Sequence, residues 1–139
     1  MIHCPRCGFE LRIPLAALPA ADVGLYDDGR FPGRLIVAAR PHFNHLDEMP
    51  ADVLADFTRD VQTAARILRG LNDVVRVNVA VLGNREEHVH AHLIPRRPTD
   101  ANFGLAPWDQ APDRVPLADG ECRRLTALLA QAFRSRAAS

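Results

Sequence analysis

Three histidines alternate with aliphatic residues in the stretch His88-Val89-His90-Ala91-His92-Leu93-Ile94. Side chains at i, i+2 and i+4 of an extended strand share one face. The spacing therefore aims three imidazoles one way and Val89, Ala91 and Leu93 the other. A lone histidine on a strand is ordinarily a satisfied structural residue. Three in register on an apolar strand each need a polar partner, and a working site is the better reading. Two chemistries fit. His-x-His can aim two ring nitrogens at one metal ion, or one imidazole can attack phosphorus while its neighbours orient it. The surroundings favour attack. Gly83-Asn84-Arg85 lies just upstream, where a glycine lets backbone approach a ligand and Asn84 offers amide donors. Asn78 sits on the preceding apolar segment, whose hairpin return would bring it beside the histidines. Glu86 and Glu87 would repel a phosphate if turned inward, and are read as facing solvent.

Cys4-Pro5-Arg6-Cys7 is the second chemical feature. In a reducing compartment a Cys-x-x-Cys pair points to metal rather than a disulfide. Two thiolates are half of a closed tetrahedral site. Cys122, alone among apolar residues of a helical pattern, reads as core.

These residues must be positioned by 139 residues, a length that reads as one domain. A hydrophobic share of 47% and a charged share of 24% are those of a globular chain. The formal net charge is zero, which leaves no broad basic field to hold a nucleic-acid backbone. All 17 basic residues are arginine, which excludes P-loop and Schiff-base lysine chemistry. No apolar run is long enough to span a bilayer, nor is there an apolar signal core, so the expectation is a cytoplasmic protein without a membrane partner.

Residues 1–20, punctuated by Pro5, Gly8, Pro14 and Pro19, read as an irregular N-terminal arm, and residues 21–139 as a single domain. Val23 to Tyr26 and Leu35 to Ala39 read as strands joined by the turn residues Asp27 to Gly33. From Pro50, Leu54, Phe57, Val61, Ala64, Leu68 and Leu71 recur at helical spacing, and Asn72-Asp73 closes that helix. Val75 to Leu82 has strand character, and the histidine strand ends at Pro95. A proline-rich loop carrying Trp108 leads to a last helix from about Asp119 to Ser135. Strands, helix, strands, helix is an α+β order with an antiparallel sheet.

The stretch His-Val-His-Ala-His-Leu-Ile resembles the signature of the histidine-triad superfamily, His-φ-His-φ-His-φ-φ with φ apolar. Asn78, Gly83, Asn84 and His88 are similar to that superfamily's upstream Asn…Gly-Gln/Asn…His arrangement, and Phe31-Pro32-Gly33 through Arg40-Pro41-His42 to its early hairpin. Leu93 to Arg97 and Trp108 resemble a bacterial branch described as diadenosine polyphosphate hydrolase-like. The resemblance spans roughly residues 20–110. It implies a five-stranded antiparallel sheet with two main helices, a homodimer, and a nucleotide or dinucleotide substrate cleaved or transferred at the α-phosphate through a covalent nucleotidyl-histidine. Carried over by position, His90 is the nucleophile, with Nδ1–H donating to a backbone carbonyl such as that of His88. His92 contacts the phosphate, His88 completes the catalytic set, and Asn78, Gly83, Asn84 and Arg85 surround the phosphate. Arg85 stands where many relatives carry Ser or Thr, which bears on the leaving group.

Some relatives, galactose-1-phosphate uridylyltransferase among them, resemble this chain in a structural zinc site. That likeness implies Zn2+ held by Cys4, Cys7, His42 and His88, with His3 and His45 as spare candidates. Two further readings stay open on the sequence: a nucleotide-binding regulator with little turnover, and a metalloenzyme using His88, His90 and His92 as an open metal site.

Overall fold

The computed structural model describes residues 1–137. A short antiparallel hairpin, β1 (Ile2–His3) and β2 (Glu10–Leu11), opens the chain. The strands β3 (Pro14–Ala17), β4 (Ala21–Leu25), β5 (Leu35–Ala39), β6 (Arg76–Ala80) and β7 (His90–Arg96) follow, with helix α1 (Ala51–Arg69) between β5 and β6 and helix α2 (Asp119–Ala137) at the end. The five main strands form one antiparallel sheet in the order β3-β4-β5-β7-β6. The α+β architecture expected from the sequence is the one observed.

Alternation divides the sheet into two chemically different faces. Val23, Val37, Ala91 and Leu93 point to the side covered by α1 and α2, where Phe57, Ala64, Leu68, Leu125, Leu129 and Phe133 complete the main core. The opposite face carries no helix. There Ala38 lies opposite His90, and Ile36 opposite His92. A second small cluster of Phe9, Leu11, Ala38 and Ile36 covers part of this face. Gly24 makes the covering possible, because a Cβ there would meet the Ile13 carbonyl and the Leu11 side chain at 3.2 Å each.

The arm expected to be irregular over residues 1–20 is therefore corrected. It contains the β1–β2 hairpin and supplies β3, an edge strand of the main sheet. Two-residue strands leave no readable alternation, and an edge strand tolerates Pro14 because its missing N–H can face away from the sheet. The histidine strand also differs from expectation: it begins at His90 and runs through Pro95 to Arg96. Pro95 fits because pairing with β5 stops at Leu93, leaving only β6 beside it. The strand expected over residues 75–82 spans Arg76–Ala80, and α1 ends at Arg69 with Gly70 capping it. Burial inside α1 includes a carboxylate the apolar stripe did not announce. Asp60 accepts a 2.7 Å hydrogen bond from the Ala20 N–H, clamping the β3–β4 turn to the helix.

Candidate active site and metal centre

His90 and His92 project from β7 onto the open face and line a cleft of about 840 Å³. One wall is the covering segment, through Gly8, Glu10, Leu11 and Arg12; the other is the β6–β7 loop, through Gly83, Asn84, Arg85 and Glu86. Tyr26, Asp27 and Arg114 close one end. Gly83 holds φ +77, a left-handed turn that glycine adopts without steric cost.

Hydrogen-bond partners fix the proton on each ring. His90 Nδ1 lies 2.6 Å from the His88 carbonyl oxygen. A carbonyl only accepts, so Nδ1 carries the proton and Nε2 keeps its lone pair. His92 has the opposite arrangement. Arg34 Nη2 donates to His92 Nδ1 at 2.9 Å, so that nitrogen accepts and the ring's proton sits on Nε2. Burial first, then the Arg34 charge and His90, bring the His92 pKa down to about 4. One ring therefore offers a nucleophilic lone pair and its neighbour a neutral N–H donor.

Arg34 is itself anchored. Its Nη1 donates to Asp28 Oδ2 at 2.9 Å, and its guanidinium stacks 4.3 Å from the Tyr26 ring centre. Asp28 is fully buried and also accepts from Arg30 Nε, Nη2 and backbone N–H. Sequence reasoning saw only turn residues between 27 and 33. The missed signal was a run of two acidic residues followed by arginines at 30 and 34, too close together for all to be solvated ornaments of a turn.

His88 precedes β7 and does not line the cleft. Its Nε2 donates to the Ala39 carbonyl at 2.7 Å, leaving the Nδ1 lone pair 3.5 Å from Cys7 Sγ and 3.2 Å from His42 Nδ1. His42 in turn has Nε2 on Asn44 Oδ1 at 2.7 Å and Nδ1 3.7 Å from Cys4 Sγ. Two imidazole lone pairs thus face each other with two sulfurs beside them, and neither ring has a proton to share. A single cation could take both lone pairs, and two sulfurs with two imidazoles are a donor set that suits zinc. The four ligand atoms of Cys4, Cys7, His42 and His88 lie within 4.8 Å of one another. Tetrahedral zinc bonds of about 2.0–2.3 Å separate ligand atoms by about 3.3–3.8 Å, and the three separations quoted all fall close to that range. Burial raises the Cys4 thiol, but the backbone groups of Cys7 and Arg6 and the His42 ring outweigh it and bring it down to about 7. Burial, reinforced by Cys4, holds Cys7 above its ordinary value. His3 and His45 stay outside the cluster, and His45 lies 4.0 Å from Glu48 instead.

The metal cluster and the cleft share a residue between them. Phe9, two residues past Cys7, stacks on the His88 ring at 4.9 Å and lies tilted against the His90 ring at 4.7 Å.

Two expectations need revising. Asn78 lies on the histidine side of β6, opposite Ile94, but its Oδ1 accepts from Arg96 at 2.8 Å and it does not line the cleft. Arg96 competes for it because a guanidinium that is 1% exposed must fill its donors, here also with Asp100, Asn102 and Leu105. Among the described residues His88, His90 and His92 do not converge as one metal-ligating group: His88 turns to Cys4, Cys7 and His42, and Arg34 holds His92 Nδ1. Glu86 is exposed, as expected, and is also among the residues that line the cleft.

The profile of the HIT domain family matches residues 23–99. An uncharacterised HIT-like protein of Methanocaldococcus jannaschii is 35% identical over 68 residues, 46% of this chain. The match spans 53% of that protein, so the chain covers about half the length of the curated relative it matches. Among solved structures, a histidine triad protein of Sinorhizobium meliloti aligns with TM-score 0.76 at 25% identity, covering 86% of this chain and 88% of that one. A zinc-bound histidine triad family protein of Mycobacterium smegmatis aligns with TM-score 0.62 at 23% identity, covering 88% and 86% of the two chains. With a family profile that matches more than half of its length, this chain belongs to the HIT domain family.

Proposed function

We propose that the protein is a nucleotide hydrolase or nucleotidyl transferase that acts at an α-phosphate through a covalent nucleotidyl-His90. One observation carries this reading: the 2.6 Å bond from His90 Nδ1 to the His88 carbonyl, which leaves the Nε2 lone pair available beside a cleft. His90 Nε2 attacks the α-phosphorus, and the bond to the leaving group breaks with its electron pair going to that group. The resulting phosphoimidazolium keeps its Nδ1–H on the His88 carbonyl, whose partial negative charge offsets the new positive charge. Water or another acceptor then attacks phosphorus, restores the neutral imidazole and releases one proton to solvent. His92 donates Nε2–H to a phosphoryl oxygen. Gly83, Asn84 and Arg85 bear on the phosphates from the opposite wall.

The Cys4, Cys7, His42 and His88 cluster is read as a closed structural zinc site. Zinc there would supply cross-linking rather than an open coordination position. Its ligands draw the N-terminal hairpin onto the sheet, and the arm and the rest of the chain then work as one domain. The family resemblance supports a homodimer that takes up a nucleotide or dinucleotide, and the cytoplasm is its proposed location.

Brief exposure to a slow adenine dinucleotide substrate, followed by intact-mass measurement, tests the reading. The expected result is an added nucleotidyl group that His90→Asn abolishes. Tight nucleotide binding with neither adduct nor turnover would replace the enzyme by a nucleotide-binding regulator.

A further inference from the structure

We infer that Arg34 is a specificity-determining positioning residue: held by Asp28 and donating to His92 Nδ1, it confines the ring's only proton to Nε2 and restricts the site to leaving groups that depart without taking a proton, phosphates rather than amines. This rests on reading the cleft as the place where a nucleotidyl group is transferred to His90.

A guanidinium has five donors, no acceptor and no accessible neutral form. At 2.9 Å from His92 Nδ1 it enforces acceptance there. A second proton on His92 would set N–H against N–H and one positive charge against another. Arg34 has no room to swing away. Its side chain is 14% exposed, its second Nη is bound to a carboxylate that is itself fully buried, and its plane lies over Tyr26. Its Nε is left buried without an acceptor, so the group is aimed at Asp28 and His92 at the expense of its own third contact. Tyr26 and His90 are the remaining rings against His92, both edge-on, and neither supplies a negative charge that would favour an imidazolium.

The consequence follows from where electrons and protons go. When a phosphoanhydride is attacked, the P–O bond breaks with its pair on a phosphate oxygen, a stable anion that leaves unprotonated. When a phosphoramidate is attacked, the pair goes to nitrogen, which must gain a proton as the P–N bond breaks. An imidazolium would give that proton; a neutral Nε2–H is far too weak an acid and can only hydrogen-bond. Arg12, Arg85 and Arg114 line the same cleft alongside Glu10, Asp27 and Glu86, and are the groups there able to pair with an anionic leaving group.

The test compares diadenosine tetraphosphate with adenosine 5′-phosphoramidate on the full chain at pH 7, alongside nitrogen-15 spectroscopy of the His92 ring. Wild type should prefer the anhydride in kcat/KM by on the order of a hundredfold or more, the scale of a missing positioned proton donor. His92 should stay neutral with its proton on Nε2 between pH 5 and 8. Arg34→Gln should let His92 titrate and narrow the preference at pH 6 at least tenfold, through kcat on the phosphoramidate rather than KM. Arg34→Lys, keeping charge and donor, should retain the preference. Equal turnover of the two substrates by wild type, a His92 proton on Nδ1, or an unchanged ratio in Arg34→Gln overturns the inference. Should the variant not fold, the wild-type ratio and ring spectrum decide alone. Failure of both substrates to label His90 sinks the nucleotidyl-transfer reading and the inference together, whereas equal labelling by both sinks only the inference.

Discussion

Removing the two cysteines should release the N-terminal hairpin from a sheet that otherwise stays folded. The residues that hold residues 1–12 without a metal are few: Phe9 and Leu11 are buried, against Ala38 and Ile36. Two buried apolar side chains contribute about 3–6 kcal/mol together. Ordering about twelve residues costs on the order of 12–24 kcal/mol of backbone entropy. Apolar burial alone therefore falls short by about 6–21 kcal/mol, a range that contains the roughly 10–16 kcal/mol of a structural zinc site. The hairpin and its wall of the cleft should form only when the cluster is metallated.

Amide hydrogen exchange on a Cys4→Ser/Cys7→Ser variant, with metal content measured in parallel, checks this. Residues 2–11 should lose protection while β5 and β7 keep theirs, since the main core lies on the other face. Bound zinc should fall from near one per chain to near zero. Affinity for nucleotide should also weaken, because Gly8, Glu10, Leu11 and Arg12 line the cleft. Unchanged protection of residues 2–11 in metal-free protein would refute the reasoning. It would mean the hairpin is held by packing that the two side chains do not account for.

Asp28→Asn should cost about 3–5 kcal/mol in urea unfolding at pH 7, the price of leaving two arginines without their buried carboxylate. Despite burial, which raises it, Arg30 and Arg34 hold the Asp28 carboxyl below its ordinary 3.8, so its stabilisation is complete above that value and fades as pH falls below it; the variant should lose this part of the acid dependence. His92 runs the same way for the opposite chemistry. Its folded value near 4 lies under the ordinary 6.5, so the unfolded chain binds more protons between them and stability should drop as pH falls from 6.5 towards 4. Urea midpoints at pH 4.5 and 7 measure this, and His92→Gln should flatten the slope. Arg96→Leu, stripping donors from Asn78, Asp100, Asn102 and Leu105, should destabilise by about 3 kcal/mol or more and deprotect residues 97–106 to hydrogen exchange.

The sequence made the periodic features legible and the long-range polar bonds illegible. Alternation in β7 and the stripe through Phe57, Ala64 and Leu68 are local patterns written within one element, and both are observed. The cysteine pair and its two histidine partners were placed by family likeness, and their ligand atoms do converge. Asn78 was misjudged because its position on the correct face says nothing about which donor reaches it first, and Arg96 arrives from the neighbouring strand. Asp28, Arg34 and Asp60 were missed for the same reason. Each is an ordinary charged residue in its own segment and acquires meaning only through a partner up to 58 positions away.

The four ordered imidazoles make a single pattern out of these separate bonds. Carbonyls of Ala39 and His88 take the protons of His88 Nε2 and His90 Nδ1, the Asn44 amide oxygen takes that of His42 Nε2, and a guanidinium denies Nδ1 of His92 a proton. Lone pairs are thereby delivered in two directions: a pair of Nδ1 atoms towards the sulfurs and one Nε2 free beside the cleft. The His88 peptide joins the two. Its ring belongs to the Cys–His cluster and its carbonyl accepts from His90 Nδ1, so a shift of that ring would move the acceptor on which the His90 tautomer depends. If zinc holds the cysteines and His90 is the nucleophile, rigidity at the cluster would reach the reacting nitrogen through that peptide.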